Sequence, residues 1–200
     1  MIEDEHLAID EIGTERVYEG FRAVDVIRYR ERGRDEGRVV RREIMSAPAA
    51  VAVIAWDPER EVLVLVRQFR VAAERALGRG MEVEVVAGLV EGKGEEETVR
   101  AELEEEAGVT ATRTVRLLDT LSSPGMSDER VAYWYAEVDS AAMAEQAGLD
   151  EETEETFPFT CTLDEALAAI DANRVSNAIV ILAVLLFARR FEALTGRPRP

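Results

Sequence analysis

Residues 88–109 have the sequence GLVEGKGEEETVRAELEEEAGV, in which glycines come first and strong helix formers follow as far as Gly108. A glycine directly after helix formers commonly ends a helix, so this segment predicts a loop and then a helix that terminates at Gly108. Glu102, Glu105 and Glu106 are three and four residues apart and therefore share one helix face. Mg²⁺ would relieve their mutual repulsion, because it takes carboxylate oxygens and fills its shell with water and phosphate. Spacing alone leaves open a second interpretation, a solvated acidic face in an acidic protein.

The helix and the glycine before it resemble the Nudix box, the loop–helix–loop signature of hydrolases that act on nucleoside diphosphates linked to another group. The usual form is G-x5-E-x7-R-E-U-x-E-E-x-G-U, where U is a bulky apolar residue. This sequence matches it as Gly88, then Glu102-Leu103-x-Glu105-Glu106-x-Gly108-Val109. The resemblance implies an α/β fold, the Nudix α/β/α sandwich around a mixed sheet, and a metal-dependent hydrolase.

The box departs from the usual pattern in two places. It is one residue short between Gly88 and Glu102, so Glu95 is the nearest equivalent of the leading glutamate. The arginine expected before Glu102 is Ala101, and Arg100 stands one place early. A shortened box of this kind also occurs in the ADP-ribose and GDP-mannose pyrophosphatase branch of the family. Ala101 removes the usual arginine that orients a box glutamate, unless Arg100 or another arginine substitutes.

The overall composition limits the partners of the protein. A net charge of −17 over 200 residues argues against nucleic acid and anionic membranes, since both are bound by basic surfaces. Cys161 is the only cysteine and His6 the only histidine, which excludes an intramolecular disulfide and leaves little material for a zinc site. No signal peptide is evident, and the longest apolar run, residues 178–188, is too short to span a bilayer. We therefore expect a cytoplasmic protein.

We expect a Nudix domain over residues 46–200, preceded by a β extension over residues 1–45. Residues 1–13 are polar and predict a poorly ordered lead-in, whereas residues 16–29 and 38–45 predict an antiparallel strand pair. Such a pair helps to build an intertwined dimer in the resembling branch, so the resemblance implies a homodimer; an ordinary edge hairpin is the alternative. Further strands are expected at residues 49–56, 61–69, 81–87, 115–121 and 131–138, and helices at 163–172 and 176–194.

Two strand ends before the box carry further candidate residues. One is Arg67-Gln68-Phe69-Arg70, similar to the Arg-Gln-Tyr/Phe-Arg of the same branch, whose last arginine lies near the substrate pocket. Glu84 lies in a strand made largely of valines, and an acid is costly to bury unpaired, so we expect its carboxylate to face a metal ion, an arginine or solvent. The resemblance implies that Arg70 holds a phosphate or the terminal ribose and that Glu84 belongs to the substrate site. It also implies that the Ala87 carbonyl ligates metal.

A Ser-Pro-Gly turn follows the box, with Pro124 sixteen positions after Gly108. A turn at about this distance is associated with ADP-ribose-type Nudix enzymes, and the resemblance implies that Pro124 and Glu129 contribute to substrate binding. The strand beyond it contains Tyr133, Trp134 and Tyr135. We predict that these aromatic residues form core or dimer interface rather than a platform on which a base stacks.

Residues 139–156 are acidic and low in apolar residues, which predicts a solvated loop. In the resembling branch a mobile acidic loop at this position brings a catalytic carboxylate over the substrate, and here Glu154 or Glu155 is nearest to that position. The resemblance thus implies a catalytic set of Glu105, Glu106, Glu154 and Glu155. The ligands of Mg²⁺, or of Mn²⁺, would be Glu102, Glu105 and Glu106, with Glu84 and the carbonyl of Ala87 as further ligands.

Three functions are compatible with these features. The first is hydrolysis of the pyrophosphate bond of a nucleoside diphosphate sugar, foremost ADP-ribose to AMP and ribose 5-phosphate. The second is the same chemistry on GDP-mannose, or on a dinucleotide such as FAD or NADH. The third is a non-catalytic Nudix domain that binds a nucleotide sugar, which the altered box motivates. An assay with magnesium separates the third function from the others, and a substrate panel separates the first from the second.

Overall fold

A computed structural model describes residues 2–35, 37–148 and 155–199. The chain divides into two compact units, one made of residues 1–48 and 121–130 and the other of residues 49–120 and 131–200. The predicted class is confirmed: the fold is α/β, with a mixed sheet between helices and a set of antiparallel strands at the N-terminus.

The first unit contains three antiparallel strands in the order β1 (Ile9–Glu19), β2 (Ala23–Glu31) and β3 (Val40–Ser46). The sequence predicted only two strands, and the expectation of a poorly ordered lead-in over residues 1–13 was wrong for residues 9–13, since β1 begins at Ile9. Ten of the eleven residues of β1 are exposed, so the strand lacks the apolar alternation by which half-buried strands are recognised. A turn at residues 20–22 separates β1 from β2.

The second unit contains a seven-stranded sheet whose main path runs β10-β5-β4-β9-β8, with β6 paired to β5 and β7 paired to β4. β4 and β9 are parallel, and the pairs β4–β5, β4–β7, β5–β6 and β5–β10 are antiparallel. The strands are β4 (Ala50–Asp57), β5 (Val62–Phe69), β6 (Met81–Glu84), β7 (Val86–Leu89), β8 (Ala111–Leu121), β9 (Arg130–Val138) and β10 (Thr156–Cys161). The helices are α1 (Val71–Leu77), α2 (Glu95–Ala107), α3 (Leu163–Asp171) and α4 (Ala178–Thr195).

β4 and β5 separate beyond the turn that joins them, and this separation places the start of the Nudix box. The two strands pair only from Ala55 to Asp57 of β4. Farther from the turn, β5 pairs with β6, and the first half of β4 pairs with β7. The chain therefore crosses from one strand to the other at Val85, and β7 leads from the edge of β4 into the glycine-rich segment before α2.

The sheet has a hydrophobic core on each face. Strand residues alternate between faces, so neighbouring residues of β4 enter different cores. One core packs under α2 and includes Val51, Val53, Val99 and Leu103. The other packs under α3 and α4 and includes Ile54, Trp56, Phe187 and Phe191.

The aromatic segment of β9 lies inside these cores. Tyr133 and Tyr135 are 2% and 0% exposed in the core under α3 and α4, and Trp134 is 8% exposed in the core under α2. The prediction that they form core rather than a base-stacking platform is confirmed. Their burial within one chain removes them as an argument for a dimer interface.

Local end signals fix the helix boundaries. α2 ends at Gly108, whose φ of 69° is a left-handed conformation that favours glycine. A Cβ there would also lie only 3.0 Å from Cβ and N of Ala144. Thr162 and Glu165 form a capping box at the start of α3. In the described ranges no helix is both long enough and apolar enough to cross a membrane.

Candidate active site

The acidic helix α2 brings two of its glutamates against the end of β7. Val99 and Leu103 are fully buried against the sheet and fix the side of the helix that faces it. Glu106 follows on the buried side and is only 6% exposed. Its Oε2 accepts a hydrogen bond from the backbone N–H of Ala87 at 3.1 Å. The main chain of β7 thus holds a buried carboxylate of the helix.

The register of β7 explains why the Ala87 main chain is available. β7 pairs with β4, and Ala87 stands opposite Ala52. The N–H and C=O of one residue of an antiparallel strand point to the same edge. Because the N–H of Ala87 bonds Glu106, its carbonyl also points away from β4.

Gly88 is required by the close approach of Glu102. A Cβ built on Gly88 would lie 1.8 Å from Oε1 and 2.0 Å from Cδ of Glu102. Any side chain at residue 88 would therefore occupy the space of the Glu102 carboxylate. Glu102 and Glu106 are one helical turn apart and meet the main chain at consecutive residues of β7, Gly88 and Ala87.

Glu105 shares this helix but its carboxylate is uncommitted. The side chain is partly exposed and forms no hydrogen bond or ion pair with any residue in the described ranges. Within the same ranges no three acidic, histidine or cysteine side chains converge closely enough to hold a metal ion by themselves. The possible metal ligands that gather here are the carboxylates of Glu102 and Glu106 and the backbone carbonyl of Ala87, all of which offer hard oxygen atoms. Such a set fits Mg²⁺, which usually keeps several waters and takes only one or two protein carboxylates.

The C-terminal end of α2 forms hydrogen bonds with Ala144, Gly148 and Thr156, all of which belong to the acidic segment, residues 139–156. Successive carbonyls of the last turn accept from three donors: Gly148 N–H to Glu105 O at 3.0 Å, Thr156 Oγ1 to Glu106 O at 2.9 Å, and Ala144 N–H to Ala107 O at 3.1 Å. Ala147 and Thr156 also exchange two backbone hydrogen bonds, of 3.0 and 2.9 Å. Thr156, which is 0% exposed, was not singled out from the sequence. The feature that could have identified it is its position at the junction of an acidic segment and an apolar strand.

Of the two candidate general bases, Glu154 and Glu155, the structure describes only the second. Glu154 lies outside the described residues. Glu155 immediately precedes β10, and its Oε1 accepts a hydrogen bond from Nε2 of Gln146 at 2.7 Å. Glu155 is exposed, and the neighbouring Thr156 is bonded to the last turn of α2.

Among the three surroundings expected for Glu84, the structure shows an arginine. Arg70 donates to both oxygens of the Glu84 carboxylate, from Nε at 2.9 Å and from Nη2 at 2.8 Å. Asn177 adds a third donor at 3.2 Å, while its own Oδ1 caps α4 by accepting from the N–H of Ile179. Glu84 is 8% exposed, so this bidentate pair satisfies an otherwise costly buried charge. Asn177 was also missed in the sequence, although asparagine before an apolar run is a common N-cap.

Arg100 and Glu95, which the sequence offered in place of the missing arginine and the leading glutamate of the box, bind other residues. Arg100 donates to Ala111 O at 2.8 Å and to Glu96 at 2.9 Å, and so joins α2 to β8. Glu95 pairs with Arg116 at 2.8 Å, and this hydrogen bond raises the pKa of Arg116. Arg100 therefore does not replace the arginine missing at Ala101. The backbone N–H of Ala87 is one donor that holds Glu106.

Pro124 and Glu129 both belong to the first unit. Pro124 is exposed in a turn closed by hydrogen bonds from the N–H groups of Met126 and Ser127 to the carbonyl of Ser123, at 3.0 and 2.9 Å. Glu129 lies 3.5 Å from a guanidinium nitrogen of Arg22. All the other described candidate residues belong to the second unit.

Comparison with known proteins identifies the class. Residues 46–181 match the NUDIX domain family. The chain is 31% identical over 189 residues to the ADP-ribose pyrophosphatase of Escherichia coli K12, covering 93% of this chain and 90% of that protein. It is 37% identical over 150 residues to the ADP-ribose pyrophosphatase of Bacillus subtilis strain 168, covering 74% and 76%. The chain therefore belongs to the Nudix family and is a Nudix hydrolase.

A solved structure shows the same fold. The crystal structure of an ADP compounds hydrolase superposes with a TM-score of 0.75, covering 98% of this chain and 100% of that chain at 19% identity.

Proposed function

We propose that this protein hydrolyses the pyrophosphate bond of a nucleoside diphosphate sugar, with ADP-ribose as substrate and AMP and ribose 5-phosphate as products. The observation that carries the proposal is the meeting of Glu102 and Glu106 with the main chain at Gly88 and Ala87. The names of the relatives in Escherichia coli and Bacillus subtilis support ADP-ribose as the substrate. We place the enzyme in the cytoplasm.

The acidic helix would hold the metal. Glu102, Glu105 and Glu106 with the Ala87 carbonyl offer oxygens to Mg²⁺ or Mn²⁺. A bound ion of this kind neutralises phosphate charge and lowers the pKa of a water molecule. The contribution of the chain is to hold these oxygens in place: Ala87 N–H fixes Glu106, and the absence of a side chain at Gly88 admits Glu102.

A further carboxylate would accept the proton of the attacking water, and Glu154 and Glu155 are the candidates. Support for Glu155 comes from its position one residue before Thr156, which is bonded to the carbonyl of Glu106. Gln146 donates a hydrogen bond to the Glu155 carboxylate at 2.7 Å, which restrains the orientation of that carboxylate.

Substrate binding would use Arg70, Glu84, Pro124 and Glu129. Glu84 holds the Arg70 guanidinium through two hydrogen bonds and thereby fixes its orientation. An oriented guanidinium can still present its remaining N–H donors to a phosphate or to ribose. Glu84 would thus contribute through Arg70 rather than by ligating metal.

The N-terminal β extension, residues 1–45, would form a homodimer interface. β1 is an edge strand on which Ile9, Ile12, Val17 and Tyr18 are between 45% and 60% exposed. Exposed apolar side chains on an unpaired edge are a common site of association. Light scattering should give twice the 22.2 kDa of one chain, and removal of residues 1–45 should give the monomer.

A substrate panel tests the proposed reaction. ADP-ribose, GDP-mannose, FAD and NADH are incubated with the protein and Mg²⁺, and the products are identified by chromatography. We expect the highest kcat/KM with ADP-ribose, AMP and ribose 5-phosphate in equal amounts, and no turnover in EDTA. A higher kcat/KM with GDP-mannose or a dinucleotide would favour the second function. Binding of ADP-ribose without turnover of any substrate would favour the third.

A further inference from the structure

A cavity of about 120 Å³ opens on the face of the sheet opposite α2. It lies between β5, β10, α3 and the start of α4, with buried Leu65, Val180 and Val184 among its lining residues. Protein cores rarely contain spaces larger than a water molecule, because the atoms that line a void lose dispersion contacts. The lining is almost entirely apolar, so an apolar group of matching shape would restore those contacts.

The one cation of the lining is Arg67, a solvent-exposed residue of β5. The guanidinium carbon of Arg67 lies 4.0 Å from the ring centroid of Phe159, and both residues line the cavity. The Arg67 side chain forms no hydrogen bond or ion pair with any residue in the described ranges. Stacking covers a flat face of the guanidinium and leaves its five N–H donors, which lie in the plane, available to an acceptor.

The one acidic residue of the lining is already engaged. The Glu165 carboxylate accepts hydrogen bonds from the backbone N–H and the hydroxyl of Thr162, at 2.8 and 3.0 Å. Both bonds go to Oε2 and belong to the capping box at the start of α3, and no ion pair joins Glu165 to Arg67 among the described residues. The site therefore combines an apolar interior with a guanidinium that lacks an anion.

We propose that this cavity binds a small monocarboxylate, whose apolar body fills the space while its carboxylate pairs with Arg67. A cavity of roughly 150 Å³ accommodates benzene, so the space here suits a branched short-chain acid such as isovalerate. So few contacts imply a dissociation constant on the order of millimolar. The site is separate from the acidic helix, since its lining comes from the other core of the sheet.

Cys161 provides a direct reporter, because it lines the cavity and is the only cysteine in the chain. Burial raises the pKa of the Cys161 thiol to about 11, so alkylation at mildly alkaline pH is slow enough to follow by mass spectrometry. A ligand in the cavity should shield the thiol. At ten times its Kd, isovalerate should lower the alkylation rate by about tenfold through simple mass action.

The controls separate carboxylate recognition from other effects. Isovaleramide has the same shape without the charge and should protect less, while acetate at equal concentration controls for ionic strength. Arg67→Gln should reduce the protection by isovalerate to the level of the amide, and Arg75→Gln, an exposed arginine that does not line the cavity, should leave it unchanged. Ala169→Leu should fill the space and remove protection by both molecules.

Three results would overturn the proposal without requiring a variant to fold. They are no protection of the wild-type protein at tens of millimolar isovalerate, equal protection by isovalerate and isovaleramide, and equal protection by isovalerate and acetate. Unchanged protection in Arg67→Gln would equally remove Arg67 as the carboxylate partner. None of these readouts depends on hydrolase activity, so they stand apart from the test of the proposed function.

Discussion

The two faces of the seven-stranded sheet are formed by alternating residues of the same strands, yet they are built differently. Under α4 the core is aromatic: Phe187 lies 5.2 Å from Trp56, 5.2 Å from Phe191 and 5.7 Å from Tyr135 between ring centroids. Under α2 it consists mainly of valine and alanine, and it admits the buried polar residues Glu106 and Thr156. The face under α4 buries large apolar side chains, whereas the face under α2 holds charged and polar groups in place.

This difference teaches that stability and catalysis can be changed separately in this fold. Large aromatic residues bury the most apolar area and therefore contribute most to the free energy of unfolding. The polar residues under α2 contribute little to the free energy of unfolding, because their hydrogen bonds mainly offset the cost of burying polar groups. A substitution on the α4 face should alter unfolding, and one on the α2 face should alter turnover.

The largest effect is expected from Phe187→Ala, which opens a cavity in the aromatic core. Phe187 is 0% exposed, and such a truncation costs about 3–5 kcal/mol of unfolding free energy. Urea denaturation measures this loss, and kcat measured well below the melting temperature should stay near that of wild type. Leu185→Ala is the matched control on the same helix, since Leu185 is 46% exposed and should change stability by less than about 0.5 kcal/mol. A tenfold fall of kcat in folded Phe187→Ala would mean that the two faces are coupled.

On the other face, Glu105→Gln and Glu106→Gln should each lower kcat by roughly a hundred- to thousandfold, as expected when one strong electrostatic contact to a transition state is lost. Unfolding free energy without metal should be unchanged or higher, because repulsion between neighbouring carboxylates is relieved. Glu104→Gln, an exposed acid of the same helix, is the control and should keep wild-type kcat. Wild-type kcat in both variants would show that the acidic helix is not the active site.

A proton-accepting glutamate should behave differently from a metal ligand. Changing the correct one of Glu154 and Glu155 to Gln should lower kcat by about a hundredfold, the lower end of general base catalysis. Mg²⁺ affinity, measured by calorimetry, should remain nearly unchanged, whereas Glu106→Gln should weaken it. If both loop variants retain full kcat, the base is on the acidic helix or is a metal-bound hydroxide alone.

Thr156 tests how far the α2 face depends on a single neutral hydrogen bond. Thr156→Val keeps the shape but leaves the carbonyl of Glu106 without its hydroxyl donor, which should cost about 1–3 kcal/mol of stability. We expect kcat to fall by about tenfold with KM unchanged, since roughly 1.4 kcal/mol of lost positioning corresponds to that factor. Thr156→Ser retains the hydroxyl and should restore kcat. A loss of stability without loss of kcat would assign Thr156 a structural part only.

The smallest effect concerns Asp57, which lies at the end of β4 and is 1% exposed. Burial opposes its ionisation, but hydrogen bonds from Ser140 and Arg60 outweigh burial and lower the pKa of Asp57 below its usual 3.8. The ionised form thus stabilises the fold above about pH 4, and this contribution is lost as pH falls from there. Asp57→Asn should cost about 1–2 kcal/mol at pH 7, and the difference from wild type should shrink below pH 4. A constant difference from pH 7 to pH 3 would contradict the lowered pKa.

Features with local causes could be predicted from the sequence. The end of α2 depends on a glycine at one position, and the capping box of α3 depends on two residues three apart. The continuous valine and leucine run of β5 is typical of a strand buried on both faces, and residues 63–66 are all buried. In each case the interaction that decides the structure lies within a few residues of the signal.

Features that depend on distant partners could not be predicted. Three surroundings were open for Glu84, and the choice of Arg70 with Asn177 depends on how β6 meets the start of α4. Arg100 could be considered as a substitute for the missing arginine until its bond to Ala111 on β8 was visible. α1 contains no buried residue, so the sequence has no apolar periodicity there by which a helix could be predicted.

The contact between Gly88 and Glu102 has a consequence for how such a box can change over evolutionary time. While Glu102 is present, a side chain at residue 88 would push aside a flexible carboxylate, so selection against it acts through function rather than folding. Once Glu102 is shortened, that constraint disappears and residue 88 is free to drift. A side chain acquired there would then exclude a returning glutamate. The order of the two substitutions therefore makes loss of this site easier than its recovery, and lineages that abandon Glu102 first should rarely regain it.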